Sequence, residues 1–233
     1  EGLMVIKISL SNIYLLLKLC YILLNYIMEK KIKAILFDLD GVLVKMPEAH
    51  YDALNRALAL FGAHIDEEEH HKYFNGLPTR KKIIELEARE RLPVGLIEFI
   101  NEIKQKYTHE LIPKYCPPEY SKIILMRHLK SQGIQLACCS NSVKETLHSM
   151  LRSAGLFDYM DLIIANDEVK NPKPDPEMYL LAMQKLNITP EETIIVEDSP
   201  HGIEAARATN AEVRIVSGVE DVHSGLFKDI LGL

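Results

Sequence analysis

Lys33-Ala34-Ile35-Leu36-Phe37-Asp38-Leu39-Asp40-Gly41-Val42-Leu43-Val44 is the stretch on which the fold turns. The run Ala34 to Phe37 is short, apolar and carries strand-forming side chains. It ends abruptly in a carboxylate, as a buried parallel strand does when it delivers a charged group to its carboxyl end. If the extended backbone continues, alternation points Asp38 and Asp40 the same way and turns Leu39 into the wall, and Gly41 lets the chain bend sharply away. Two acids that close repel unless a cation or a shared proton relieves them, so the pair points to a metal or a catalytic task. A solvated turn uses the same residue types, and the surrounding chain has to decide between the two.

From Pro47 to about Leu111 the pattern is helical. Ala53, Leu54, Ala57, Leu58, Leu60 and Phe61 recur at helical spacing and Gly62 supplies a stop. Asp66 opens a second helix, Pro78 a third and Pro93 a fourth, each where a cap or a first-turn proline belongs. No strand pattern interrupts them, so the block reads as a small helical domain inserted over the end of the first strand. Its segment Asn75-Gly76-Leu77-Pro78-Thr79-Arg80-Lys81-Lys82 places three cations beside a glycine turn; the simplest local reading is a solvated helix start.

After Pro117-Pro118 helix and strand alternate. Glu119 to Gln132 is a helix stopped by Gly133. Ile134 to Cys139 is a buried strand ending in Ser140-Asn141-Ser142, which caps a helix running to Ala154 and Gly155. Leu162 to Ala165 is a strand, followed by the loop Lys170-Asn171-Pro172-Lys173-Pro174-Asp175-Pro176 and a helix from Glu177 to Leu186. Thr193 to Val196 is a strand ending in Glu197-Asp198-Ser199, Pro200 to Thr209 a helix, and Ala211 to Val216 the last strand. The order predicts an α/β fold: a Rossmann-like open parallel sheet with helices on both faces and an inserted α-helical cap domain, binding ligands at the strands' carboxyl ends. The expected division is a core of residues 29–45 and 115–233 with a cap of 46–114.

With 233 residues, 48% of them hydrophobic and 26% charged, the chain can bury one core with a smaller satellite. A net charge of −6 and the lack of a Lys/Arg block with interleaved aromatics argue against a nucleic-acid partner. Cys20, Cys116, Cys138 and Cys139 have no C-x-x-C spacing and suit a reducing cytoplasm. Residues 1–28 differ from the rest: Ile8 to Met28 is mostly Leu, Ile and Tyr, interrupted by Lys18 and Asn25. A membrane anchor and a leader outside the working protein both fit. The mid-segment lysine is costly in a bilayer, and Met28-Glu29-Lys30-Lys31-Ile32-Lys33 reads as an ordinary start, so the second is expected, with a membrane partner only if the leader is genuine.

Every polar cluster falls at a strand's carboxyl end: Asp38 and Asp40 after the first, Ser140 and Asn141 after the second, Lys173 in the loop after the third, Glu197 and Asp198 after the fourth. Singly each has an ordinary explanation as cap, loop or turn. Together they supply carboxylates for a metal, hydroxyl and amide donors, and one fixed cation, the inventory for handling a phosphoryl group.

Asp38-Leu39-Asp40-Gly41-Val42-Leu43, Cys139-Ser140-Asn141, Lys173-Pro174-Asp175-Pro176 and Val196-Glu197-Asp198-Ser199-Pro200-His201-Gly202-Ile203-Glu204-Ala205-Ala206 resemble, in order, the four motifs of the haloacid dehalogenase superfamily. The helical insert resembles that of its phosphatase and beta-phosphoglucomutase branch. The resemblance implies that Asp38 attacks phosphorus to form an aspartyl-phosphate and that Asp40 protonates the leaving oxygen and then activates water. It implies one Mg²⁺ at Asp38, Asp40 and Asp198 with Glu197 nearby, and a phosphoryl group held by Ser140, Asn141, Lys173 and the turn at Gly41. Dehalogenation itself is not expected, because that branch lacks the second aspartate. Family members often read Asp-Gly-Val-Leu-Val-Asp-Ser, whereas Lys45-Met46 stand at the last two positions here, where Lys45 could reach an anionic substrate.

His50 and Arg80 carry the choice between hydrolase and mutase. His50 stands ten residues after Asp40, where phosphoglucomutases of the branch have a histidine that helps gate the acid/base and many plain phosphatases have one too; a solvent-facing helix position is expected for His50 and a general anion contact for Arg80. Arg80 is one residue from the place of a cap arginine that grips a second phosphate. The expectation is a phosphatase acting on a small phosphorylated metabolite, with no stable protein partner implied. The alternatives are a mutase of the beta-phosphoglucomutase type and a non-catalytic phosphometabolite-binding module.

Overall fold

The computed structural model describes residues 32–74 and 77–233. The apolar leader expected at 1–28, with Cys20, and also Asn75 and Gly76, lie outside the described residues. Among the described residues no helix is long and apolar enough to cross a membrane.

Five strands form one parallel sheet: β1 (Ala34–Phe37), β2 (Gln135–Cys139), β3 (Leu162–Ile164), β4 (Thr193–Glu197) and β5 (Glu212–Ile215), in the order β3-β2-β1-β4-β5. All four residues of β1 are buried, as a central strand covered on both faces requires. The chain builds outward from β1 to β2 and β3, then returns to β1's other side for β4 and β5. The crevice at this reversal is where open α/β sheets bind ligands. Register makes the crevice useful, because Phe37 lies opposite both Cys138 and Val196. The next rung therefore brings Asp38, Cys139 and Glu197 to one edge.

Alternation along β1 divides the core. Ile35 and Phe37 face a cluster that includes Leu125, Leu129, Leu147 and Leu151, from helices α4 (Tyr120–Ser131) and α5 (Lys144–Ser153). Leu36 faces the other cluster, with Met178, Tyr179, Ala182, Ala205 and Ala206 from α6 (Glu177–Leu186) and α7 (Pro200–Ala208).

The helices between β1 and β2 have a core of their own, including Leu54, Leu58, Ile65, Phe74, Ile83, Leu86 and Ile100. They are α1 (Pro47–Ala59), a helical turn Glu67–Glu69 passing into a π-helical turn His70–Phe74, α2 (Thr79–Ala88) and α3 (Ile97–Tyr115). Helices α1 and α3 bridge the two regions: Ala49, Ala53, Leu111 and Ile112 belong to the sheet-side core, Leu54, Ala57, Leu58 and Ile100 to the other.

Several local expectations shift. The helix expected from Pro93 begins at Ile97, because the Glu87 carboxylate accepts from the Gly95 and Leu96 N–H groups and holds the preceding turn. It runs past Leu111 to Tyr115. Ser140-Asn141-Ser142 does not cap α5. The Ser142 N–H donates to Ser140 Oγ, closing a separate turn, and the cap comes across space, the Lys144 N–H donating to Asp167 Oδ1 at 3.0 Å. Asp66 does cap, accepting from the Glu69 N–H.

Leu36→Ala, at the centre of the sheet, is expected to lower the free energy of unfolding by about 2–5 kcal/mol. Urea denaturation followed by circular dichroism checks it, with the midpoint falling and the slope unchanged.

Candidate active site

The carboxyl edge of the sheet opens into a cavity of about 480 Å³. Its sheet-side wall includes Asp38, Asp40, Ser140, Asn141, Lys173 and Asp198, and its helical wall includes His50, His70, Arg80, Lys82 and Lys104.

Lys173 organises the sheet-side wall. Its Nζ donates to Asp38 Oδ1 at 2.6 Å, Glu197 Oε1 at 2.7 Å and the Cys139 carbonyl at 2.9 Å, and the side chain is buried. The loop that carries it is clamped by Asn141, whose amide accepts from the Lys173 N–H at 3.1 Å and donates to the Lys173 carbonyl at 3.3 Å. The Asn141 side chain thereby fixes the loop at the edge of the cavity it lines.

Glu197 is fully engaged. Oε1 accepts from Lys173 and from the Tyr179 hydroxyl at 2.7 Å; Oε2 accepts from the Asp198 and Ser199 N–H groups and the Ser199 hydroxyl. Gly202, in the first turn of α7, makes room for it: a Cβ there would stand 1.8 Å from Glu197 Oε1.

Asp40 and Asp198 are different. Each has a buried Oδ1 without a hydrogen-bond partner. Gly41, at φ +90°, sits against Asp198, and a Cβ there would lie 2.0 Å from Asp198 Oδ2. Asp38, Glu197 and Asp198 each offer an oxygen within 4.8 Å of the others. Hard carboxylate oxygens suit Mg²⁺, and since Glu197 is saturated by protein donors, Asp38 and Asp198 fit it best as direct ligands.

Negative charge is in excess at this edge of the sheet. Burial pushes the Asp38 carboxyl well above the ordinary carboxylate range; Lys173 opposes this, while Glu197 and Asp40 add to it. Burial, reinforced by Glu197, raises Asp198 to about 6. Lys173 is raised despite its burial, by Asp38 and Glu197. One lysine does not balance four clustered acids.

Asp40 is tied to the helical wall. Ser142 Oγ donates to its Oδ2 at 3.3 Å, His50 Nε2 lies 3.4 Å from its Oδ1, and Lys104 Nζ is 3.1 Å from His50 Nδ1. Burial would raise Asp40, but His50 and Lys104 hold it below the ordinary range. Burial and Lys104 in turn depress His50. The ring is therefore neutral near pH 7, and Lys104 supplies the positive charge. Burial also pushes Lys104 and Lys82 down to about 8 each.

Asp38, Asp40, Ser140, Asn141, Lys173, Glu197 and Asp198 thus converge on one place, and His50, expected to face solvent, joins them because α1 turns it toward Asp40 with Lys104 behind it. Arg80 does not join them: it lines the rim, 58% exposed, and pairs with Glu98 on α3. Lys45 points away and pairs with Glu220, so it does not reach the cavity, while Met46 is buried in the core. The three cations of the α2 start part company, Arg80 and Lys81 exposed and Lys82 buried against His70. Sequence reasoning missed Tyr179, Lys104 and Lys82. Lys104 could have been found from spacing, since Ile100, Lys104, Thr108 and Leu111 make one buried stripe of α3.

Residues 35–216 match the family model described as haloacid dehalogenase-like hydrolase. The phosphorylated carbohydrates phosphatase of Thermotoga maritima is 32% identical over 197 residues, covering 83% of this chain and 88% of that protein. CbbY from Rhodobacter sphaeroides, solved in complex with phosphate, is 27% identical with a TM-score of 0.72, over 80% of this chain and 87% of that one. A putative beta-phosphoglucomutase structure from Thermotoga maritima is 30% identical with a TM-score of 0.62, over 79% and 84%.

Two stability outcomes follow from the packing. Gly→Ala in a helix ordinarily stabilises by up to about 1 kcal/mol, but Gly202→Ala is expected to cost about 1–3 kcal/mol because its methyl displaces Glu197. Lys82→Met is expected to raise stability near pH 7 by about 1–3 kcal/mol, since it removes a buried charge. The folded pKa of Lys82 lies below the ordinary 10.5, so the unfolded chain binds the extra proton between about 8 and 10.5. The gain is therefore full below about pH 8 and shrinks as pH rises toward 10.5. Thermal unfolding of both variants across pH checks the signs.

Proposed function

The chain belongs to the haloacid dehalogenase-like hydrolase family, and on that premise we propose that it hydrolyses a small phosphomonoester, a sugar phosphate or similar metabolite, through a phosphorylated Asp38. The observation that carries this reading is the grip of Lys173 on Asp38 at 2.6 Å, on the wall of a cavity that also presents Asp40, Asp198 and Ser140. The name of the Thermotoga maritima relative supports a phosphorylated carbohydrate as the substrate class. We read residues 46–114 as a cap over a core of 29–45 and 115–233. The buried free Cys116, Cys138 and Cys139 favour a cytoplasmic setting.

In this reading an Asp38 oxygen attacks phosphorus, the bond to the leaving oxygen breaks, and Asp40 gives that oxygen its proton. Asp40 then takes a proton from water, the water oxygen attacks the phosphorus of the aspartyl-phosphate, and phosphate leaves with Asp38 regenerated. The free site holds Asp40 ionised; a phosphoryl dianion alongside raises its pKa, so Asp40 takes up a proton from solvent as the substrate binds. Lys173 and the Ser140 hydroxyl hold phosphoryl oxygens, and Asn141 contributes by fixing the Lys173 loop. Gly41 keeps the backbone close to Asp198. A Mg²⁺ held by the Asp38 carboxylate, the Asp40 main-chain carbonyl and Asp198, with Glu197 behind them, would neutralise charge on the phosphoryl oxygens. His50 positions Asp40, while Arg80, paired with Glu98 at the rim, takes no part in holding the phosphoryl group.

Purified protein with Mg²⁺ is expected to release phosphate from p-nitrophenyl phosphate or a sugar-phosphate panel and to stop when EDTA removes the metal. Asp38→Asn should lower kcat by at least about 1,000-fold. Interconversion of beta-glucose 1-phosphate and glucose 6-phosphate without net phosphate release would make the protein a mutase instead. Failure of both turnover and Mg²⁺-dependent fluoroberyllate binding would leave a phosphometabolite-binding module.

A further inference from the structure

Lys173 comes from a loop, yet its ammonium is buried with every N–H spent. An ammonium has three donors, and here they go to Asp38 Oδ1, Glu197 Oε1 and the Cys139 carbonyl. Asn141 clamps the main chain of the loop, at the other end of a long and flexible side chain. The charged end is steadied by Tyr179, on the helix α6 that follows the loop.

Tyr179 is a core side chain with two contacts to the site. It is buried in the cluster that includes Leu36, Ala137, Cys139, Ile164 and Ile195, residues of four different strands. The Lys173 Nζ stands over its ring, 4.7 Å from the centroid. Its hydroxyl donates to Glu197 Oε1 at 2.7 Å, the oxygen that also accepts from Lys173. Burial and the Glu197 charge push the phenol well above its ordinary range, so it stays a donor. Donation to a carboxylate enriches the ring in electrons, and a richer ring face attracts a desolvated ammonium more strongly. Ring and hydroxyl therefore act on Lys173 together, one directly and the other through Glu197. Apolar packing alone does not call for the hydroxyl, since a phenylalanine would fill the same space.

We propose that Tyr179 is a positioning residue for phosphoryl transfer: its ring and hydroxyl aim the Lys173 ammonium at the oxygens of the transferred group, although Tyr179 itself does not line the cavity. This rests on the hydrolase reading. Charge on those oxygens grows toward the transition state, so a displaced ammonium loses stabilisation there first. Without the hydroxyl, Glu197 Oε1 keeps Lys173 as its one side-chain donor and draws the ammonium toward itself, away from Asp38. Without the ring as well, the ammonium loses the face it rests on.

The test compares the full-length wild type with Tyr179→Phe, which keeps the ring, and Tyr179→Leu, which removes ring and hydroxyl, at a temperature where each is folded by circular dichroism. With Mg²⁺ and p-nitrophenyl phosphate, kcat is expected to fall about ten-fold in Tyr179→Phe and about 30-fold or more in Tyr179→Leu, with KM within about three-fold of wild type. Mg²⁺ with fluoroberyllate, a phosphoryl mimic, should raise the melting temperature of the wild type, and that rise is expected to shrink in the same order. A hydroxyl with a structural role alone would lower the melting temperature of free and liganded protein alike and leave both the rise and kcat intact. That result, a wild-type kcat in Tyr179→Phe, or failure of Tyr179→Phe to fold would overturn the proposal, and Tyr179→Phe decides alone if Tyr179→Leu does not fold. A wild type that neither turns over nor gains stability from fluoroberyllate would reject the hydrolase reading instead.

Discussion

One buried ammonium holds the candidate site together. Lys173 Nζ touches Asp38, Glu197 and the Cys139 carbonyl, and so joins the ends of β1, β2 and β4. Without it, two carboxylates on adjacent strands would face each other out of reach of water, and burying unpaired charge is among the costliest things a fold can do. Everything nearby serves to place this group or to finish the hydrogen bonds around it. Asn141 clamps its loop, Tyr179 and the turn after β4 saturate Glu197, and Gly202 leaves the space Glu197 occupies. The contact positions Asp38 without balancing the cluster, which keeps an excess of negative charge at the sheet edge and leaves Asp198 Oδ1 without a protein partner.

The helical wall answers with the opposite sign. Lys104 and His50 reach Asp40 from helices α3 and α1, so the protonation of an acid on the sheet side depends on residues of the helical insert. Under the proposed reading this links the fit of the substrate beneath that wall to the chemistry below it. Catalytic groups stay on a rigid sheet edge, while the inserted helices bring the charges that select what enters.

The parallel sheet was legible because strands buried on both faces are written as unbroken apolar runs, and each ends in a visible polar cluster. The convergence of Asp38, Lys173, Glu197 and Asp198 was legible for the same reason, since register then carries the ends to one edge. Distances and competition between partners were not. Nothing in Glu197-Asp198 says that the first is saturated by protein donors and the second left open. Nothing in Arg80-Lys81-Lys82 says that the third turns inward, because helix starts rich in lysine are usually solvated. Ser140-Asn141-Ser142 has the letters of a helix cap, and only tertiary contacts show the amide of Asn141 spent on the Lys173 loop and the capping oxygen supplied by Asp167. The start of α3 was misplaced because a proline marks a possible first turn, and the Glu87 carboxylate that stabilises a different start lies in another helix.

The most direct measurement traps the covalent state. Full-length protein is mixed with Mg²⁺ and a ³²P-labelled sugar phosphate, quenched in acid within one turnover, digested and mapped by mass spectrometry. The expected result is label on the peptide carrying Asp38, lost on treatment with hydroxylamine as an acyl phosphate should be, and absent from Asp38→Asn. Label on another residue, or steady phosphate release from Asp38→Asn at the wild-type rate, would contradict the account.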